Sequence, residues 1–274
     1  MLGEAIFMHD KLLIGRYIQM ESIIHQLDPR TKLLATFYFI LLVFLADNFL
    51  GYGLLFVFLL AAVKLSHLEL KFFFRGLKPM LWIIVFTVIF QVFFTVGGEE
   101  YFRLGPIAIT SAGLIGGFYI FMRLFLIIMM STILTLTTAP LELTDGIEHL
   151  LRPLTYFGFP SHEVALMLSI ALRYVPTLLD EAQTIMDAQR SRGVDFDEGS
   201  MMDRMKAIVP ILVPLFVSAF NRAEELATAM EARGYRGAQG RSKYRQLDFD
   251  RYDMTVLMML ILLTALVIAS RLYL

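Results

Sequence analysis

Two short stretches carry the most recognisable chemistry. "DAQRSRG" closes at Gly193 and "AMEARGYRG" passes through Gly234, so each sets a small residue, an arginine and a glycine in a row: Ser191-Arg192-Gly193 and Ala232-Arg233-Gly234. Arginine offers a planar five-donor fork that suits carboxylates and backbone carbonyls on a partner surface. Glycine just past a helix end takes the left-handed conformation cheaply, and arginine in a last turn suits the helix dipole. Capping and docking are compatible, because a capped end is a rigid place from which to present a side chain. Aligning the two glycines, 193 on 234, gives an offset of 41 that also sets Ala182 on Ala223 and Ala188 on Ala229.

Other reactive residue types are sparse. His9, His25, His67, His149 and His162 are scattered, with no HExxH or HxxxH spacing to hold a metal. No GxxxxGK[ST] loop occurs, so the sequence offers no phosphate cradle of that kind. With no cysteine, disulfides, thiol catalysis and Cys-based metal sites are excluded. "LELTDGIEHLLR" places Glu142, Asp145 and His149 on one helical face, with Glu148 beside them. A surface amphipathic helix explains that spacing equally well.

These residues sit in a chain built for a bilayer. Of 274 residues, 57% are hydrophobic and 18% charged, and the mean hydropathy is +0.66. A soluble domain of this length needs far more polar surface. A net charge of −1 gives no basic footprint for nucleic acid. Five mainly apolar runs fit the length of a spanning helix. They run from about Leu33 to Phe49, Leu50 to Val63, Met80 to Val96, Ala112 to Thr138 and Met254 to Ser270, the first two forming a tight hairpin. Arg123 falls about ten residues inside the fourth run, near mid-bilayer. An intramembrane charge faces protein or water and marks a functional candidate, and Gln91 in the third run is a possible hydrogen-bonding neighbour.

Basic residues in short loops fix orientation. Lys11, Arg16, Arg30 and Lys32 precede the first span, and Lys64, Lys71, Arg75 and Lys78 lie between the second and third. "VGGEEYFRLGP", between the third and fourth, has one arginine and two glutamates. The expected N-terminus is cytoplasmic, the C-terminus extracellular, and the stretch 139–253 faces the cytoplasm. That stretch holds most of the acidic residues and over half of the basic ones, yet keeps the apolar runs "EVALMLSIALRYV" and "AIVPILVPLFVSAF". Prolines and charges interrupt each run before a comfortable span. Each is expected to be half of a long helix, apolar end packed and charged end free, stopping at Arg192 or Arg233.

In "LDPRTK", Asp28 can cap the next helix and Pro29 suits its first turn. "GLIGGFYIF" offers small residues at 113, 116 and 117 that permit close helix packing. The 16 methionines fill cores, and also suit a surface that repacks against several partners.

Four spans, a cytoplasmic segment with two Ala-Arg-Gly-like motifs and a closing fifth span resemble the transmembrane T component, EcfT, of energy-coupling factor transporters, related to the CbiQ- and BioN-type T components. "GRYIQMESIIHQLDPRTK", residues 15–32, resembles that family's N-terminal segment. The likeness implies an all-α integral membrane protein in three parts: residues 1–138 with four transmembrane helices, a coupling-helix segment at 139–253, and a last transmembrane helix at 254–274. It implies a non-catalytic cell-membrane subunit. Two cytoplasmic ABC ATPase subunits (A components) would bind the ATP and Mg, and a membrane-embedded S component would bind the vitamin or metal ion. Ser191-Arg192-Gly193 and Ala232-Arg233-Gly234 would be the ATPase-docking ends, the first departing from the pattern by serine for alanine. A dedicated cobalt, nickel or biotin importer is the alternative within the family.

Two rivals stand outside it. A self-sufficient secondary transporter needs polar or broken spans near the midplane in related halves, and only Arg123 and Gln91 qualify. A membrane-embedded enzyme needs clustered acids or histidines at a membrane face, and the segment from Glu142 to His149 is the sole candidate.

Overall fold

The structure, a computed structural model, describes residues 17–18, 20–104, 107–196, 200–237 and 249–273. His9, Lys11 and Arg16, singled out above, lie outside the described residues. The chain divides into two compact units, Met1–His149 with Leu247–Leu274, and Leu150–Gln246.

The first unit begins with a single turn, α1 (Ile23–Gln26), and α2 (Pro29–Leu45). Then follow α3 (Phe49–Ser66), α4 (Leu70–Phe94), the antiparallel hairpin β1 (Glu100–Leu104) and β2 (Ile107–Thr110), α5 (Ser111–Thr137) and α6 (Pro140–Leu151). The second unit holds a 3-10 turn (Arg152–Phe157), α7 (Ser161–Ser191) and α8 (Met201–Ala232). The chain returns to the first unit through α9 (Arg251–Tyr273).

Local sequence explains these boundaries. Asp28 accepts the Arg30 backbone N–H at 2.8 Å and Pro29 opens α2, as "DP" before an apolar run requires. Only Ala46, Asp47 and Asn48 separate α2 from α3, the tight hairpin that the sequence implies. Thr110 caps α5 by accepting the Gly113 N–H at 3.0 Å. The core of this unit buries Phe39, Val43, Tyr52, Leu55, Leu126 and Val267 almost completely. α4 and α5 approach closely at glycines: a Cβ added at Gly113 would lie 2.7 Å from the Val92 carbonyl oxygen, and one at Gly117 2.8 Å from Val92 Cγ2.

This is an all-α integral membrane protein. The five expected spans fall on α2, α3, α4, α5 and α9, but the expected first span is too long, because α2 ends at Leu45 and Phe49 already opens α3, and the third overruns α4, which ends at Phe94. The count of apolar helices differs from the sequence reading. Among the described residues six helices are long and apolar enough to cross a membrane: α3, α4, α5, α9 and also α7 and α8, whose prolines were expected to interrupt them, whereas α2, at 17 residues, is not one of the six. Pro176, Pro210 and Pro214 lie inside continuous helices of 31 and 32 residues. A proline removes one helical N–H, and an apolar helix with enough neighbouring bonds carries on through it. The hairpin of β1 and β2 replaces the plain loop that the sequence suggests between the third and fourth spans.

Candidate docking ends

α7 stops in a closed hydrogen-bond pattern. Arg192 is its C-cap, with φ −89° and ψ 4°, and Gly193 follows at φ 87°. The Gly193 N–H donates to the Arg190 carbonyl at 2.9 Å, and the Val194 N–H to the Gln189 carbonyl at 3.1 Å. This pair of bonds is the Schellman motif, which satisfies carbonyls that the helix end would leave free.

α8 ends the same way. The Gly234 N–H donates to the Glu231 carbonyl at 2.9 Å, the Tyr235 N–H to the Met230 carbonyl at 3.0 Å, and Gly234 has φ 72°. A Cβ added to Gly193 or Gly234 would meet nothing within 4 Å. Glycine is required there for its left-handed backbone alone, not for room.

Both arginines are exposed, and among the described residues neither guanidinium has a hydrogen bond or ion pair. Their neighbours are occupied. Arg190 faces Asp187 at 3.6 Å and stacks over Phe196 at 5.9 Å, while the Ser191 hydroxyl donates to the Asp187 carbonyl at 2.9 Å. The arrangement thus presents two planar cationic forks, each exposed and each on a capped helix end. Such ends can bind carboxylates or carbonyl rims and carry out no bond chemistry.

Residues 20–244 match the CbiQ family, described as cobalt transport protein. The chain belongs to that family. Its relatives are transmembrane components of energy-coupling factor transporters. It is 52% identical over 258 residues to "Energy-coupling factor transporter transmembrane protein EcfT 1" of Listeria monocytogenes, covering 94% of this chain and 97% of that protein. The EcfT proteins of Streptococcus thermophilus (55% over 238 residues, covering 87% and 90%) and Bacillus subtilis (49% over 264 residues, covering 96% and 100%) are similar too.

In this EcfT-family chain, Arg123 and Gln91 are not brought together. The Arg123 guanidinium lies 5.3 Å from the centre of the Phe44 ring and approaches the Tyr52 hydroxyl, although neither Arg123 Nε nor Tyr52 Oη completes a hydrogen bond. Gln91 instead packs over Gly116, where an added Cβ would lie 2.9 Å from its Nε2. Among the described residues no three His, Asp or Glu side chains stand together to hold a metal ion.

A buried polar junction in the first unit escaped sequence reasoning. The Asp28 N–H donates to Asp253 Oδ1 at 3.0 Å, and the Asp250 N–H donates to Asp253 Oδ2 at 2.9 Å. Lys32 Nζ donates to the His25 and Thr137 carbonyls, both at 2.9 Å. Lys32 and Asp253 are 5% and 1% exposed, and the Asp28–Asp253 and Lys32–Thr137 bonds form out of water. His25 Nε2 lies 3.0 Å from the Ile18 carbonyl, which can only accept, so Nε2 carries the proton and Nδ1 faces the Ser22 hydroxyl at 2.7 Å. Burial pushes the His25 pKa below its ordinary 6.5, helped by Lys32 and opposed by the Ile18 bond and Glu142. A lone Asp253 opening an otherwise apolar last helix was the available signal for this junction.

Proposed function

We propose that the chain is the energy-coupling subunit of an ATP-driven importer. Arg192 and Arg233, with Ser191, Gly193, Ala232 and Gly234 as their platforms, dock two cytoplasmic ABC ATPase subunits. Closure and opening of those ATPases move the two docked ends, and α7 and α8 pass that motion to a membrane-embedded S component carrying a vitamin or metal ion. The chain itself hydrolyses nothing and selects no substrate.

The observation that carries this reading is the twin Schellman cap. Two helix ends closed by the same pair of cap bonds each hold one exposed arginine with no hydrogen bond or ion pair among the described residues. Paired ends of one design suit two ATPases of similar shape. A second observation supports the membrane side. Met205, Leu212, Phe216 and Phe220 lie along one face of α8 and are all substantially exposed. Such a stripe suits an apolar partner or lipid.

The orientation follows from the basic loops: N-terminus and docking ends in the cytoplasm, C-terminus outside. Mechanically, the scheme needs two states of the helix pair with different contacts to the partners. The test is affinity purification from the native membrane with partners identified by mass. Two ATPase subunits and a small membrane protein should accompany the chain, and the chain purified alone should neither hydrolyse ATP nor transport. Transport by the lone chain in vesicles would refute the proposal.

A further inference from the structure

Glu181 on α7 and Arg222 on α8 form an ion pair, with Oε2 2.9 Å from Nη2. Their separation in sequence is 41 residues. That is the same offset that places Gly193 on Gly234 and Arg192 on Arg233. The two helices therefore touch at equivalent positions of two copies of one pattern. A contact between equivalent positions sits at the same height on both helices, whatever their crossing angle.

The consequence is a matched pair of arms. Eleven residues lead from Glu181 to Arg192, and eleven lead from Arg222 to Arg233. At 1.5 Å per residue, each arm reaches about 16 Å beyond the contact. Leu178 and Ala219, again 41 apart, line the apolar groove beside the pair, and the small Ala219 and Ala223 face it from α8. Arg222 is further oriented by Nε donating to the Ser218 hydroxyl at 3.3 Å. The side chains of Arg222 and Glu181 are 34% and 25% exposed, so water and salt weaken the attraction. A contact of that strength directs two helices without locking them.

We propose that Glu181 and Arg222 are positioning residues, the pivot about which α7 and α8 splay and the reason their docking ends stay equidistant from the crossing. The consequence for transport rests on the docking reading above. The pivot itself is a statement about the helix pair and can be tested apart from it.

The chain has no cysteine, so paired spin labels can be placed without background. Ala188→Cys and Ala229→Cys are exposed, equivalent sites near the two ends. These sites lie seven residues beyond the contact, about 10 Å along each helix, so tilting an arm by ten degrees moves its label about 2 Å, within reach of a distance measurement between the two. The variants are Glu181→Arg, Arg222→Glu and the two together, each examined in the full transporter complex and in the chain purified alone. Each single reversal should shift or broaden the label distance by about 2 Å or more and lower uptake about fivefold or more, as coupled neighbours do. The charge swap should restore a narrow distribution and uptake to within about twofold of the parent.

An unchanged distribution in both single reversals overturns the pivot. So does a shift that the swap fails to reverse, because the link between helices would then not be this charge pair. Label distances that respond as expected while ATPase subunits never accompany the unaltered chain would sink the docking reading and leave the pivot standing.

Discussion

Asp253 accepts the backbone N–H of Asp28 at 3.0 Å, across 225 residues of sequence. The one acidic residue in the first turn of α9 thus holds the cap of α2, and the same carboxylate takes the Asp250 N–H. Replacing Asp253 with alanine strands the buried Asp28 donor and releases the partly exposed Asp250 one. Hydrogen bonds to charged groups are worth about 1.5–3 kcal/mol each. Asp253→Ala should therefore lower the unfolding free energy by at least about 2 kcal/mol, read as a fall in melting temperature in detergent. Asp253→Asn, which keeps one acceptor, should fall between the two. A melting point unchanged in Asp253→Ala would show that the junction carries no stability.

His25 supplies a pH dependence with a defined sign. Its folded pKa lies below the ordinary 6.5, chiefly through burial. The unfolded chain therefore takes up a proton at a higher pH than the folded one does. The stability from neutral His25 is present above pH 6.5 and is lost as pH falls through the lower folded value. Melting temperature should hold from pH 8 to about 7 and then decline, and His25→Gln should flatten part of that decline. An identical pH profile in the variant would assign the titration elsewhere.

The α4–α5 contact separates two kinds of glycine. A Cβ at Gly113 meets the Val92 carbonyl, which cannot move without its helix, whereas one at Gly116 meets the mobile end of Gln91. Gly113→Ala should cost about 1–3 kcal/mol, in the range of overpacked cores. Gly116→Ala should be nearly neutral, because Gln91 can swing aside. Equal melting points for the two variants would contradict the packing assigned to this face.

Gly193 and Gly234 are constrained differently. Nothing crowds them, so alanine there carries only the left-handed backbone penalty of about 1–2 kcal/mol. Hydrogen exchange at the Val194 and Tyr235 amides, which close the two caps, should speed up by about fivefold or more in the respective Gly→Ala variants. Unchanged exchange would mean that the caps do not depend on glycine.

The sequence made much of this architecture readable, because the relevant signals are local. Arg-Gly after an amphipathic run marks both helix ends, "DP" marks the start of α2, and the glycines at 113, 116 and 117 mark a packing face. What escaped depends on partners distant in sequence. Asp253 reads as a boundary charge until Asp28 is beside it. Arg123 and Gln91 look like neighbours because both are polar in apolar spans, yet the first lies over the Phe44 ring and the second packs over Gly116. The prolines of α7 and α8 look like breaks, since local propensity does not count the bonds of a long apolar helix on either side. The pair of Glu181 and Arg222 was within reach, for the 41-residue offset that aligns the glycines aligns these two as well.

The central claim is that the two arginine caps are docking ends, and one variant addresses it directly: Arg192→Ala combined with Arg233→Ala. Each lost charge-assisted contact costs about 1.5–3 kcal/mol, roughly one to two decades of affinity per site. Helix-end arginines contribute only about 0.3–1 kcal/mol through the dipole, so folding should hardly change. Retention of the ATPase subunits during purification, measured beside uptake in membranes with normal levels of the chain, is the deciding quantity. The account predicts single variants that assemble but transport poorly, and a double variant that is folded, loses its ATPases or uncouples them, and takes up nothing. A double variant with full uptake and its ATPases still bound would contradict it, leaving the two arginines as caps alone.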